Sequence, residues 1–201
     1  MVLTIRAGSG PSTDLVSDHL RALAEGAQHL KSAAATIGSW GDHLAQVFSA
    51  GGMVLACGNG GSAAEAQHLA AELVGRFRHD RPALPAIALC ADSATTTAIV
   101  NDYGSDEMFA RQVRGYGRPG DVLITLSTSG SSQNVVAAAK AGLENGLTVW
   151  ALTGPAPNPL AAMADAAIAV EAPTTATVQE LHLSIVHAMC LALDSALGVS
   201  P

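Results

Sequence analysis

Aromatic residues make up only 3% of this 201-residue chain, and charged residues only 13%. The charged share is about half of the usual quarter, yet 49% of the residues are hydrophobic, which excludes a disordered polyelectrolyte. Basic residues are in deficit too: ten Lys and Arg stand against seventeen Asp and Glu, for a formal charge of -7. A chain without a basic surplus lacks the surface needed for nonspecific binding of nucleic acid or anionic membranes. No uninterrupted apolar run approaches the roughly 18 to 20 residues of a membrane span. Residues 1–14 hold no apolar segment followed by a cleavage site, so no secretion signal is expected. The three cysteines, Cys57, Cys90 and Cys190, are odd in number and far apart, as suits free thiols in a reducing cytoplasm. What is present is enough Ala, Val, Leu and Ile for one domain with a sizeable core. Small side chains of this kind let helices, and subunits, approach closely.

Gly8, Gly10, Pro11 and Ser12 mark residues 1–12 as a flexible arm. From Ser12 to about Ser49 the apolar spacing is helical, with a break expected at Gly26 or Gly38. Beyond residue 50, short apolar runs at 53–57, 86–90, 122–126, 148–152 and 167–170 read as buried strands. Helical patterns separate them near 63–76, 106–115, 132–145 and 159–164, and a last helix covers 178–197. Strands apolar on both faces and alternating with helices predict an α/β fold, a five-stranded parallel sheet flanked by helices on both faces. A helical extension over 1–50 precedes the sheet domain of 51–201, together forming one unit. In such a doubly wound sheet, ligands bind beyond the carboxyl ends of the strands.

Two loops sit where that rule directs attention. Gly58 to Ala63 matches G-x-G-x-x-A, a weak dinucleotide signal whose confirming acid is missing, since Asp92 comes about 30 residues later. Ser62 and Glu65 have the spacing of a capping box at the start of the following helix. The second loop, Ser127-Thr128-Ser129-Gly130-Ser131-Ser132, follows a buried strand and precedes a helix beginning near Gln133. Hydroxyls, backbone N–H groups and the helix dipole together favour a phosphate monoester there. No Lys follows, so the loop is not of the Walker type. An ordinary serine-rich turn is the alternative.

Acid–base groups cluster on two helices. His68 and Glu72, four residues apart, share one helical face, with Glu65 on the same side. The last helix carries Gln179, Glu180, His182 and His187 in an apolar context. On the helical wheel Glu180 lies roughly 20° from His187 and Gln179 about 80° away, so geometry leaves both open as partners. His68, Glu72 and His187 are candidates for a metal site or an acid–base pair, set against structural histidines and a surface ion pair.

With these residues assembled, the sequence resembles the phosphoheptose isomerases of the sugar-isomerase (SIS) domain family. The motifs are CGNGGSAAEAQHLAAELVGRF at 57–77, RPALPAIAL at 81–89, NDYG at 101–104, GDVLITLSTSGSSQNV at 120–135 and VQELHLSIVH at 178–187. The resemblance implies a five-stranded SIS sheet and a homotetramer with active sites at subunit interfaces. It implies interconversion of sedoheptulose 7-phosphate and a D-glycero-D-manno-heptose 7-phosphate through an enediol. Ser127, Thr128, Ser129 and Ser132 match phosphate-binding positions. Asn59, Gly60, Gly61, Ser62, Arg76, Asn101, Asp102 and Gln179 match or adjoin positions around the sugar. Glu72 and His187 match the acid–base pair, and His68, Glu72, Gln179 and His187 match a zinc-binding set; on that match Gln179, rather than Glu180, is expected as the ligand.

One departure concerns specificity. The family usually carries Arg two residues before the glutamine, where this chain has Thr177. Rival readings are a non-enzymatic SIS regulator that binds a protein partner, an isomerase or sensor for another phosphosugar, and a nicotinamide-dependent oxidoreductase resting on the first glycine loop. The regulators lack the paired Glu and His that this chain keeps as Glu72 and His187.

Overall fold

The computed structural model describes residues 10–199. Five strands form one wholly parallel sheet: β1 (Val54–Gly58), β2 (Ala86–Ala88), β3 (Val122–Ser127), β4 (Thr148–Thr153) and β5 (Ala166–Ala169), in the order β2-β1-β3-β4-β5. The chain leaves β1, pairs β2 on one side of it and returns to pair β3 on the other. Strand order therefore reverses between β1 and β3, and a crevice opens there beyond their carboxyl ends.

Alternation along each strand sorts side chains into two buried layers. Val54 and Ala56 of β1, Val122, Ile124 and Leu126 of β3, and Trp150 and Leu152 of β4 meet helices α2 (Ala34–Ser49), α3 (Gly61–Val74) and α8 (Thr175–Ala196). Leu55, Cys57, Leu123, Val149 and Ala151 face the other way. They meet α5 (Glu107–Tyr116), α6 (Gln133–Glu144) and α7 (Pro159–Met163). The two tryptophans share one contact: Trp40 stacks on Trp150 with ring centroids 4.5 Å apart. The helix α8 is long and apolar enough to cross a membrane by length and composition, but here it is a core helix. Val178, Leu181, Ile185, Val186, Met189 and Leu193 bury one of its faces.

The N-terminal segment corrects two expectations. Helix α1 (Pro11–His29) begins inside the expected arm, and residues 1–9 lie outside the described residues. The break falls at neither Gly26 nor Gly38 but at a 3-10 turn, Leu30–Ala33, where right-handed helical angles continue into α2. Gly26 is instead a point of close approach, because a Cβ there would stand 2.5 Å from Leu181 of α8. Helix α4 (Ser93–Tyr103) was not expected at all. Its sequence is rich in β-branched threonine, which disfavours helices, and only Ile99 is buried. Asp92 starts it, accepting hydrogen bonds from the N–H groups of Ala94 and Thr95 and from the Thr95 hydroxyl. Those bonds lower the Asp92 carboxyl below its usual range, so this residue is a helix cap, not a ribose acceptor.

Candidate active site

The β1–α3 turn has the shape its glycines permit. Gly60 adopts φ 56°, ψ -121°, in the positive-φ region where L side chains are disfavoured. Gly61 opens α3 and lies under the Gln179 amide, whose atoms would be 2.5 Å from a Cβ at that position. The expected capping box does not form, because α3 already starts at Gly61 and Gly60 is the cap, without a side-chain bond. Ser62 is buried inside the first turn, and Glu65 points into the protein interior. Asn59 turns across to the second loop and exchanges two amide hydrogen bonds with Asn134 at the start of α6, at 2.8 and 2.9 Å. Asn134 was not anticipated. Its only sequence signal is its place just after the serine loop.

The second loop lies as expected between β3 and α6. The Ser127 hydroxyl is 3.1 Å from that of Ser132 and 3.4 Å from that of Ser129, and the Ser131 N–H donates to the Ser129 hydroxyl. Ser132 occupies the N-cap of α6 but makes no side-chain capping bond, which leaves the first N–H groups of this helix free for an anion. Asn59, Ser62, Ser127, Thr128, Ser132 and Gln179 line one cavity of about 80 Å³. Both loops and the last helix thus share one small polar cavity at the β1/β3 crevice.

Helices α3 and α8 bring the titratable groups together. His68 Nε2 stands 2.9 Å from His187 Nε2 and 3.2 Å from Glu72 Oε1. The three ligand atoms all lie within 4.8 Å of one another. A zinc ion with bonds near 2.0–2.1 Å needs neighbouring ligand atoms roughly 3.3 Å apart, so the separations from His68 to His187 and to Glu72 are of the size such an ion requires. Gln179 lies over Gly61 and lines the serine-loop cavity, whose lining includes none of the trio. Glu180, the other candidate on that helix, turns away to a hydrogen bond with His19 of α1 at 2.9 Å. Arg76, Asn101 and Asp102 are exposed and do not line the cavity. Arg76 donates to the Arg78 carbonyl, and the Asn101 amide donates to the Asp102 carboxylate.

Arg81, a residue the sequence did not flag, fixes the end of α3. Its side chain is 2% exposed, donates to the carbonyls of Glu72 and Leu73, and pairs with Asp194 of α8 at 3.0 Å. Cys190 lies near Glu72, and burial first, then the carboxylates of Glu72 and Asp194, push its thiol up to about 12. It stays protonated near neutral pH. Thr177 is fully buried in the first turn of α8, its hydroxyl 2.9 Å from that of Thr174, the cap of that helix.

A family profile for the SIS domain matches residues 18–154. The chain belongs to the SIS domain family. Among curated SIS relatives, the phosphoheptose isomerase of Streptomyces coelicolor is 65% identical over 158 residues, 79% of this chain and 68% of that one. The phosphoheptose isomerase of Thiobacillus denitrificans is 49% identical over 157 residues, 77% of this chain and 80% of that one. Among solved SIS structures, the phosphoheptose isomerase of Neisseria gonorrhoeae superposes with a TM-score of 0.84 at 42% identity, covering 91% of this chain and 98% of that one. The Francisella tularensis phosphoheptose isomerase gives 0.85 at 34% identity, covering 92% and 100%.

Proposed function

We infer that this SIS-domain protein is an aldose–ketose isomerase that interconverts sedoheptulose 7-phosphate and D-glycero-D-manno-heptose 7-phosphate. The observation that carries this reading is the trio of His68, Glu72 and His187 at the same α3–α8 contact that brings Gln179 to the serine-loop cavity. The high identity to phosphoheptose isomerases supports the same substrate. The hydroxyls of Ser127, Thr128, Ser129 and Ser132 and the N–H groups opening α6 hold the phosphate. Asn59, Ser62 and Gln179 face the sugar, and Arg76, Asn101 and Asp102 complete its surroundings from neighbouring surface.

Moving a carbonyl between C2 and C1 requires a proton to leave one carbon and return to its neighbour. Glu72 takes that proton and returns it on the same face of an enediol. His187 moves the oxygen-bound proton, since an imidazole carries both a donating and an accepting nitrogen. His68, Glu72 and His187, with Gln179 swung toward them, would hold a zinc ion. Such an ion supplies polarisation of the substrate carbonyl.

A second copy of this chain is the proposed partner, in a homotetramer whose subunits complete one another's sites. Support comes from Leu15, Val16 and Leu20 of α1 and Leu191 of α8, all exposed, and from an apolar groove of about 510 Å³ between the N-terminal helices and α8. The free thiols are consistent with work in the cytoplasm. Incubating the purified protein and zinc with sedoheptulose 7-phosphate tests the assignment. Appearance of the aldose phosphate is expected, and an unchanged ketose overturns it.

A further inference from the structure

Behind the trio lies a second acid–imidazole contact that the reaction does not use directly. His182 is completely buried and Glu65 is 7% exposed. His182 Nε2 is 3.0 Å from the carbonyl oxygen of Thr153. A carbonyl only accepts, so this nitrogen carries the hydrogen and, in the neutral ring, Nδ1 presents a lone pair. Opposite that lone pair, at 3.8 Å, stands Oε2 of Glu65. Both atoms are sealed from solvent and neither has a hydrogen-bond partner. A carboxylate here would set two acceptors face to face in a dry site, which burial of the unpaired charge strongly disfavours.

We propose that Glu65 and His182 share a single proton across the α3–α8 contact and thereby act as positioning residues for the two helices that carry the reacting groups. The proposal rests on the reading of His68, Glu72 and His187 as the reacting site. The proton resides on the carboxyl, and a side-chain shift that closes the 3.8 Å separation lets its O–H donate to Nδ1. Burial favours that neutral state on both sides, holding the Glu65 carboxyl up at about 7 and pushing the His182 imidazole down. Of the other titratable groups of these helices, Glu180 bonds His19, Asp194 bonds Arg81, His68 meets Glu72 and His187, and Cys190 is a buried neutral thiol.

The placement explains what the pair positions. Glu65 lies three residues before His68 and seven before Glu72, and seven residues return to nearly the same helical face. His182 lies between Gln179 and His187 on α8. Its other nitrogen grips Thr153 at the end of β4, whose neighbour Gly154 abuts the Thr128 carbonyl of the serine loop. One buried acid–imidazole contact therefore ties together the helix with Glu72, the helix with the second imidazole, and the strand beside the serine loop.

The test compares Glu65→Gln with Glu65→Leu, both checked for native circular dichroism. In Glu65→Gln the amide N–H donates to Nδ1 permanently, and kcat should stay within about twofold of the parent, as expected where one buried donor replaces another. Glu65→Leu keeps the volume without a donor and should lower kcat at least about tenfold with KM little changed, since small misplacements of reacting groups are costly. Nitrogen-15 NMR of labelled histidine supplies a readout independent of turnover. His182 should appear as the neutral Nε2–H tautomer, with Nδ1 hydrogen-bonded in the parent and in Glu65→Gln and released in Glu65→Leu. Retained kcat in Glu65→Leu, equal losses in both variants, or a protonated Nδ1 would each overturn the proposal. Should Glu65→Leu fail to fold, Glu65→Gln and the NMR signature still decide it. A failure of the site reading shows separately, as turnover that survives Glu72→Gln.

Discussion

His68 and His187 meet across the α3–α8 contact, Nε2 to Nε2 at 2.9 Å, although 119 residues separate them in the chain. His187 also leans on the Phe77 ring, with centroids 5.6 Å apart, and both histidines lie within reach of Glu72. The contact gathers nitrogen and oxygen donors where an ion or a sugar oxygen can replace the direct histidine–histidine bond.

Glu72→Gln removes the base while keeping the shape of the side chain. Turnover of sedoheptulose 7-phosphate should fall at least about a hundredfold, the usual contribution of a general base. Thermal unfolding should change little, because the Arg81 clamp grips the Glu72 carbonyl and not its side chain.

Metal binding is checked by elemental analysis. The parent protein should carry about one zinc per chain, and His68→Ala, with one of three converging donors lost, should carry much less. Equal zinc in the two proteins would remove His68 as a ligand.

Gly61→Ala probes the serine-loop cavity without removing a polar group. Alanine is a better helix former than glycine, but its Cβ collides with the Gln179 amide. The expected outcome is an unchanged or higher unfolding temperature together with a rise in KM for the sugar phosphate. A KM equal to that of the parent would show that Gln179 does not contribute to the pocket.

Arg81→Met tests the buried clamp. Losing the guanidinium leaves Asp194 buried and unpaired, and the carbonyls of Glu72 and Leu73 lose donors. Urea unfolding should show a loss of about 3–5 kcal/mol, the usual effect of breaking a buried pair.

The pH dependence of stability follows from Glu65. Its carboxyl sits at about 7 in the folded chain, above the roughly 4.3 expected when unfolded. The folded state therefore binds this proton more tightly, so the contribution is fully present below the unfolded value and is lost as pH rises through about 7. His182, lowered by burial, acts in the opposite sense and loses its contribution as pH falls below the ordinary imidazole range. Comparing unfolding temperatures from about pH 5 to about pH 8, Glu65→Gln should lack part of the alkaline decline seen in the parent. Parallel curves would exclude Glu65 as its source.

The sequence by itself determined the sheet, because strands buried on both faces read as unbroken apolar runs at 53–57, 122–126 and 148–152. It determined the place of the serine loop between β3 and α6 as well, since a strand–turn–helix signal built from successive residues is a local pattern. It missed α4, whose helix rests on the Asp92 cap rather than on an apolar stripe, and it misplaced the break between α1 and α2. Only the tertiary structure decided which way side chains on α3 and α8 turn. Ser62 and Glu65 have the spacing of a cap, yet Glu65 is drawn inward to His182. Periodicity assigns residues to a face, but only the packing of one helix against another decides which pairs on those faces touch. His68 with His187, Arg81 with Asp194 and Glu65 with His182 are all pairs of that second kind.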